Sequence, residues 1–139
     1  QLGVSYRCLI SDEEVVALAK EKQITRAMAA VEIAAKIEGP KVFAFGGAPT
    51  ALSYLIELAE QGLVEVDAVI GVPVGFINVE ESKEELLQSG LPALVNLGRK
   101  GGSTIVVAII NAIIYQLREV VTDDYVRYST PSSKEGGKN

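Results

Sequence analysis

KVFAFGGAPTALSYLIELAEQG, Lys41 to Gly62, sets a short apolar run against a pair of glycines, a proline and a segment of helical composition. The run is too short for a helix and reads as a strand, Gly46-Gly47 as the turn, and Ala48 to Gly62 as a segment of helical composition with apolar residues at its period. Pro49 suits the first helical turn, where a missing N–H has no intrahelical acceptor to lose. The same order recurs twice. VDAVIGVPVG (Val66 to Gly75) precedes NVEESKEELLQSG (Asn78 to Gly90), and PALVNLGRKGG (Pro92 to Gly102) precedes STIVVAIINAIIYQLR (Ser103 to Arg118). VSYRCLI, Val4 to Ile10, reads as a further strand. Four apolar runs alternating with helical segments predict an α/β fold: a mostly parallel sheet with helices on both faces, doubly wound and Rossmann-like.

Between the first run and Lys41 the chain is rich in Ala, Glu, Lys and Leu. Ser11 with Glu14 three residues on has the spacing of a capping box, and Gln23 to Arg26 breaks the pattern into two helices, the second capped by Thr25. Ser103 to Arg118 is apolar on nearly every side, which predicts burial in a core or a subunit interface, although Ile105 to Val107 also suits a strand. Residues 1–118 are expected to form one domain and the polar stretch 119–139, ending STPSSKEGGKN, a flexible tail. Gln1 opens the sequence without a methionine, and the expectation is a piece of a longer protein.

The chain has 139 residues, 48% of them hydrophobic, enough for one core that buries roughly two-thirds of the unfolded surface. Its net charge is -5 with no dense basic block, which argues against nucleic-acid and anionic-membrane partners. No run of membrane-spanning length and a single cysteine, Cys8, point to a cytoplasmic protein. Cys8, inside a predicted strand, is expected to be a small buried hydrophobe. Histidine is absent, which removes the commonest acid-base group and metal ligand and the Ser-His and Cys-His nucleophile pairs.

In a parallel sheet, ligands gather at the carboxyl ends of the strands, and all three glycine loops fall there. Gly46-Gly47 leads into Pro49 and Thr50; Gly71 and Gly75 bracket Val72-Pro73-Val74; Gly98 to Ser103 reads GRKGGS. In any one loop the glycines are explained as well by an ordinary tight turn. No loop has the GxGxxG or GxxxxGK[ST] spacing of a nucleotide site. GRKGGS carries the clearest chemistry, because Arg99 and Lys100 are cations, Gly101 and Gly102 expose backbone donors, and Ser103 is placed to cap the next helix; together they suit an anion. By position alone Arg26 reads as a solvated charge, Lys83 as an exposed partner of Glu80 or Glu84, and Glu80, Glu81, Glu84 and Glu85 as complements to a helix dipole.

Read together, ITRAMAAVEIAA (Ile24 to Ala35), GGAPTAL (Gly46 to Leu52), VIGVPVGFINVEESKEEL (Val69 to Leu86) and GRKGGSTIVVAIINAII (Gly98 to Ile114) resemble the precorrin-8X methylmutase, or precorrin isomerase, family of cobalamin biosynthesis, in its C-terminal portion. The resemblance implies a homodimer with its active sites near the subunit interface. It implies an isomerase that moves a methyl group from C-11 to C-12 of precorrin-8X, giving hydrogenobyrinate, or acts on the cobalt-containing equivalent, with no cofactor or metal required by the protein. The implied partner is a corrinoid tetrapyrrole, an apolar disc rimmed with carboxylates. Its implied contacts are Thr25, Arg26, Gly47, Pro49, Thr50, Pro73, Gly75, Phe76, Ser82, Lys83, Arg99, Lys100, Gly101, Gly102 and Ser103. Two departures stand out. The family usually carries Asn where this chain has Gly47, and its catalytic histidine lies upstream of the matched segments, so the alternative is an inactive corrinoid-binding homologue or fragment.

Overall fold

A computed structural model describes residues 5–120 of the chain. In order these form α1 (Glu13–Lys22), α2 (Arg26–Ala35), β1 (Val42–Phe45), α3 (Pro49–Glu60), β2 (Ala68–Gly71), α4 (Val79–Gln88), β3 (Ala93–Val95) and α5 (Ser103–Val120). The strands make one parallel sheet in the order β1-β2-β3, with Phe43 beside Val69 and Val69 beside Ala93. The fold is α/β, as the repeated strand, turn and helix predicted. The expected first strand is the exception: residues 5–10 have no strand pairing and Cys8 is exposed, while Leu9 alone of that run is buried. A short apolar run docks a single side chain as readily as it joins a ladder when no edge lies beside it. The expected tail lies outside the described residues from 121 onward, and α5 continues to Val120.

Local chemistry sets the helix ends. Thr25 accepts a hydrogen bond from the Met28 N–H at 3.1 Å, satisfying one of the free donors of α2. Pro49 occupies the first turn of α3, as expected. The predicted capping box at Ser11 does not form; Asp12 precedes α1 without a side-chain cap, leaving Glu13 and Glu14 at its positive end and Lys20 and Lys22 in its last turn to complement the dipole.

The core lies on one face of the sheet. Phe43 and Phe45 of β1 and Val69 of β2 meet Leu52 and Leu55 of α3, Val31 of α2 and Leu86 of α4. A second cluster joins Val15 and Ala19 of α1 to Ala29 and Ile33 of α2. Strand β1 alternates buried and exposed, so Val42 and Ala44 turn to the other face, where Val42 is 61% exposed and Leu94 42%. Helix α5 is helical through Ile105 to Val107, yet no side chain described on it is buried, and Val107, Tyr115 and Leu117 are exposed. Ile105, Val106, Ile109, Ile110 and Ile114 are half-buried, so this chain covers the helix only in part.

A polar bracket fastens the first two helices to α3. Glu32 of α2 accepts from Lys22 at 2.6 Å and from the Tyr54 hydroxyl of α3. Burial alone would raise the Glu32 pKa, but the hydrogen bonds from Lys22 and Tyr54 and the charges of Lys22 and Lys36 outweigh it and hold the carboxyl below its usual range. The bond to Glu32, with burial and the charges of Glu32 and Glu57, pushes the Tyr54 phenol up to about 12. A raised folded value stabilises below the unfolded one, so the Tyr54 contribution is whole below the ordinary phenol value of 10.0 and is lost as pH rises toward about 12. The Glu32 contribution has the opposite sign: it is present above the ordinary 4.5 and is lost as pH falls below it. Tyr54→Phe is expected to abolish the alkaline limb of a plot of denaturation midpoint against pH while leaving neutral-pH folding intact. An unchanged alkaline limb would refute this account of the bracket.

Candidate functional site

The parallel register brings the ends of β1, β2 and β3 to one edge, and the three glycine loops pack there backbone against backbone. Val72 N–H donates to Phe45 O at 3.0 Å, Gly102 N–H to Val72 O at 2.8 Å, and Gly75 N–H to Arg99 O at 3.2 Å. No side chain fits between them. A Cβ on Gly46 would stand 2.5 Å from Ser103 N, and one on Gly101 would stand 2.0 Å from Val72 O. These two glycines are explained by contact between loops rather than by turn geometry. Gly47 is different: nothing lies within 4 Å of a Cβ placed there. Ala48, next to it, takes a left-handed φ of 50°, a conformation that costs a non-glycine residue about 1–2 kcal/mol.

Apolar side chains surround this ledge. Phe76 is 83% exposed, and Val74, Ile77 and Leu97 are exposed with it. The Arg99 guanidinium lies 5.6 Å from the Phe76 ring centroid and donates to Glu80 at 3.3 Å, which keeps the cation at the rim. Lys100 is exposed beside it. Gly102 corrects its expectation, since its N–H is engaged by Val72 and is not open to a ligand. Ser103 is the first residue of α5 rather than the capping residue before it. Pro73 is fully buried, so within the Val72–Phe76 loop the exposed contacts fall to Val74 and Phe76.

The Ser82-Lys83 pair is inside the protein. Val79, Ser82, Lys83 and Leu86 are the buried residues of α4, at the i, i+3, i+4, i+7 spacing of one helix face. That spacing is present in the sequence, but a lysine at such a position is ordinarily solvated. Ser82 Oγ donates to Val79 O at 2.9 Å. The Lys83 ammonium donates to Gly98 O at 2.6 Å and Lys100 O at 2.9 Å, under the GRKGGS loop. Burial pushes its pKa down, with the charge of Glu80 opposing. The expected exposed pairing of Lys83 with neighbouring acids is thereby corrected.

Thr25 and Arg26 sit elsewhere. The Thr25 hydroxyl caps α2, and Arg26 lines a cleft of ≈ 350 Å³ with Val16, Ala19, Lys20 and Ile24, with no hydrogen bond or ion pair to the three loops among the described residues. A cavity of ≈ 700 Å³ runs between α3 and α4 and is lined by Thr50, Tyr54, Glu57, Glu60, Glu81 and Glu85 among others. Its acidic wall repels an anionic ligand, so size does not make it the counterpart of the cationic ledge. Pro49 and Thr50 lie on the first turn of α3, between the ledge and this cavity. Among the described residues no group of three or more His, Cys, Asp or Glu side chains is placed to hold a metal ion.

The profile of the precorrin-8X methylmutase family matches residues 1–116, which include all three loops and the α4 segment. The chain belongs to the precorrin-8X methylmutase family. It is 53% identical over 118 residues to the cobalt-precorrin-8 methylmutase of Salmonella typhimurium, covering 84% of this chain and 54% of that protein. The precorrin-8X methylmutase of Pseudomonas aeruginosa is 38% identical over 76% of this chain and 52% of its own length. In structure, precorrin-8x methyl mutase from Thermus thermophilus superposes with a TM-score of 0.70 at 40% identity, covering 81% of this chain and 54% of that one. The chain thus spans about half the length of the curated methylmutases it matches.

Within this methylmutase fold the ledge geometry separates two glycines experimentally. Gly101→Ala is expected to break the Gly102–Val72 bond and lower the melting temperature, because its methyl meets a carbonyl oxygen that cannot retreat. Gly47→Asn, with open space at its Cβ, is expected to leave the melting temperature unchanged. Thermal unfolding of both variants checks the contrast, and equal effects would contradict it.

Proposed function

We propose that the protein carrying this chain is an isomerase of corrinoid biosynthesis, moving a methyl group from C-11 to C-12 of precorrin-8X, or of its cobalt form, to give hydrogenobyrinate or cobyrinate. The observation that carries this reading is the family match across every loop of the ledge. A corrinoid is a broad apolar disc with carboxylates at its rim, and the ledge offers both complements. Val74, Phe76 and Leu97 form the apolar side, Gly47, Pro49 and Thr50 an adjoining wall, and Arg99 and Lys100 with the loop backbone the carboxylate side. Arg26 is assigned a separate ring carboxylate.

The rearrangement is internal to the substrate and needs no net oxidation or reduction. The chain's contribution is to hold the macrocycle flat and fix its register, so that the migrating methyl has one face of the ring open to it. None of the 139 residues is a histidine, so the acid that assists the migration is assigned to a group outside them.

We also assign a homodimer and a cytoplasmic location. The exposed apolar side chains of α5 and of the uncovered sheet face, Val107, Ile113, Leu117, Val42 and Leu94, support burial against a second copy. No helix among the described residues is long and apolar enough to cross a membrane.

The full-length protein is expected to retain hydrogenobyrinate through gel filtration, seen as a corrinoid absorption spectrum eluting with the protein. Arg99→Ala is expected to weaken that binding about ten-fold, the scale of one hydrogen bond to a charged group. Elution of wild-type protein free of corrinoid would overturn the reading, and binding without conversion of precorrin-8X would leave a carrier in place of an isomerase.

A further inference from the structure

Lys83 presents an electrostatic anomaly. It is 2% exposed, its ammonium touches two carbonyl oxygens, and no carboxylate bonds to it among the described residues. Glu80 is near enough to act on it through charge, but the Glu80 carboxylate bonds to Arg99 instead. Burying a cation without a directly bonded counter-charge is costly, and a neutral amide or hydroxyl would satisfy two carbonyls with less desolvation. Loop anchoring alone therefore does not explain why this position holds a charge.

The loop above it supplies the explanation. Three successive carbonyls are tied down: Gly98 O by Lys83, Arg99 O by the Gly75 N–H at 3.2 Å, and Lys100 O by Lys83 and by Asn96 Nδ2 at 2.8 Å. Among the described residues there is no cis peptide bond, and in a trans peptide the N–H points opposite to the C=O of the same unit. Fixing those carbonyls toward their donors turns the N–H groups of Arg99, Lys100 and Gly101 the other way. Those three N–H groups have no acceptor among the described residues. Arg99 and Lys100 are exposed and Gly101 is half-buried, so the segment that carries these donors lies at the surface.

We propose that Lys83 is the positioning residue of this site: its ammonium orients the 98–101 backbone so that consecutive N–H groups converge on a ligand carboxylate, and it supplies the positive charge that the carboxylate completes from across the loop. The proposal deepens the corrinoid reading and rests on it for the identity of the ligand. Lys83 touches no ligand itself and acts through the peptide units it holds. It differs in this from Arg99, whose exposed guanidinium meets a carboxylate directly.

The test uses full-length protein carrying Lys83→Met, with Val64→Ala, a buried core substitution outside the site, as a control for general destabilisation. Lys83→Gln, which keeps an N–H donor and removes the charge, is the second variant should the methionine form fold poorly. Two readouts are taken: the backbone amide signals of Arg99, Lys100 and Gly101 during titration with succinate, a free dicarboxylate, and the dissociation constant of hydrogenobyrinate. In wild-type protein succinate is expected to move these three amides. In Lys83→Met that response is expected to disappear and in Lys83→Gln, which holds the carbonyls without the charge, to weaken, and in both the hydrogenobyrinate dissociation constant is expected to rise about ten-fold or more, beyond any change in Val64→Ala at a matched loss of melting temperature. The proposal is overturned if wild-type amides do not respond to succinate, if Lys83→Met keeps the response or Lys83→Gln keeps it undiminished, or if Val64→Ala weakens corrinoid binding as much. A succinate response that depends on Lys83, in a protein that retains no hydrogenobyrinate, would support the positioning role and sink the corrinoid reading.

Discussion

Backbone pressed against backbone at the carboxyl edge of the sheet is the constraint on which the remaining features depend. Gly46 against Ser103 and Gly101 against Val72 leave no room for a Cβ, so the loops after β1, β2 and β3 act as one surface. Once they touch, the hydrogen bonds from Val72 to Phe45 and from Gly102 to Val72 link the end of β1 to the start of α5. Among the described residues the sheet has three short strands, and the ledge joins their ends into a single edge.

Charge is arranged in two layers around that edge. Arg99 is held outside by the Phe76 ring and Glu80, where it meets solvent. Lys83 is held underneath, where its field is screened far less. Thr50 and Asn78 line the cavity between α3 and α4 together with its acidic wall, which gives the region a polarity: cations at the ledge, carboxylates in the cavity. An anionic macrocycle is favoured on the first and disfavoured on the second.

The unburied apolar surface falls on the side that this chain does not cover itself. Helix α5 leaves Val107, Ile113, Tyr115 and Leu117 exposed, and β1 and β3 leave Val42 and Leu94 exposed. The helices of the main core all contact the opposite face, through Phe43, Phe45 and Val69. Ile70 is buried on that face, but Val42 and Leu94 beside it are not, and apolar surface of this kind agrees with a proposed second copy.

The sequence by itself determined the alternation of strand, glycine turn and helix from Lys41 onward, the parallel sheet, the cap at Thr25, the proline of α3 and the family, because each of these depends on local pattern or on the order of motifs. It misplaced VSYRCLI, since an apolar run of that length does not say whether a strand edge is beside it. Only the tertiary structure decided that Gly46 and Gly101 are contact glycines while Gly47 is open, that the Gly102 N–H is engaged, and that Lys83 lies beneath a loop rather than in solvent. Those outcomes depend on which backbone atoms meet across the sheet edge, residues far apart in the chain, and no spacing along a single segment encodes that distance.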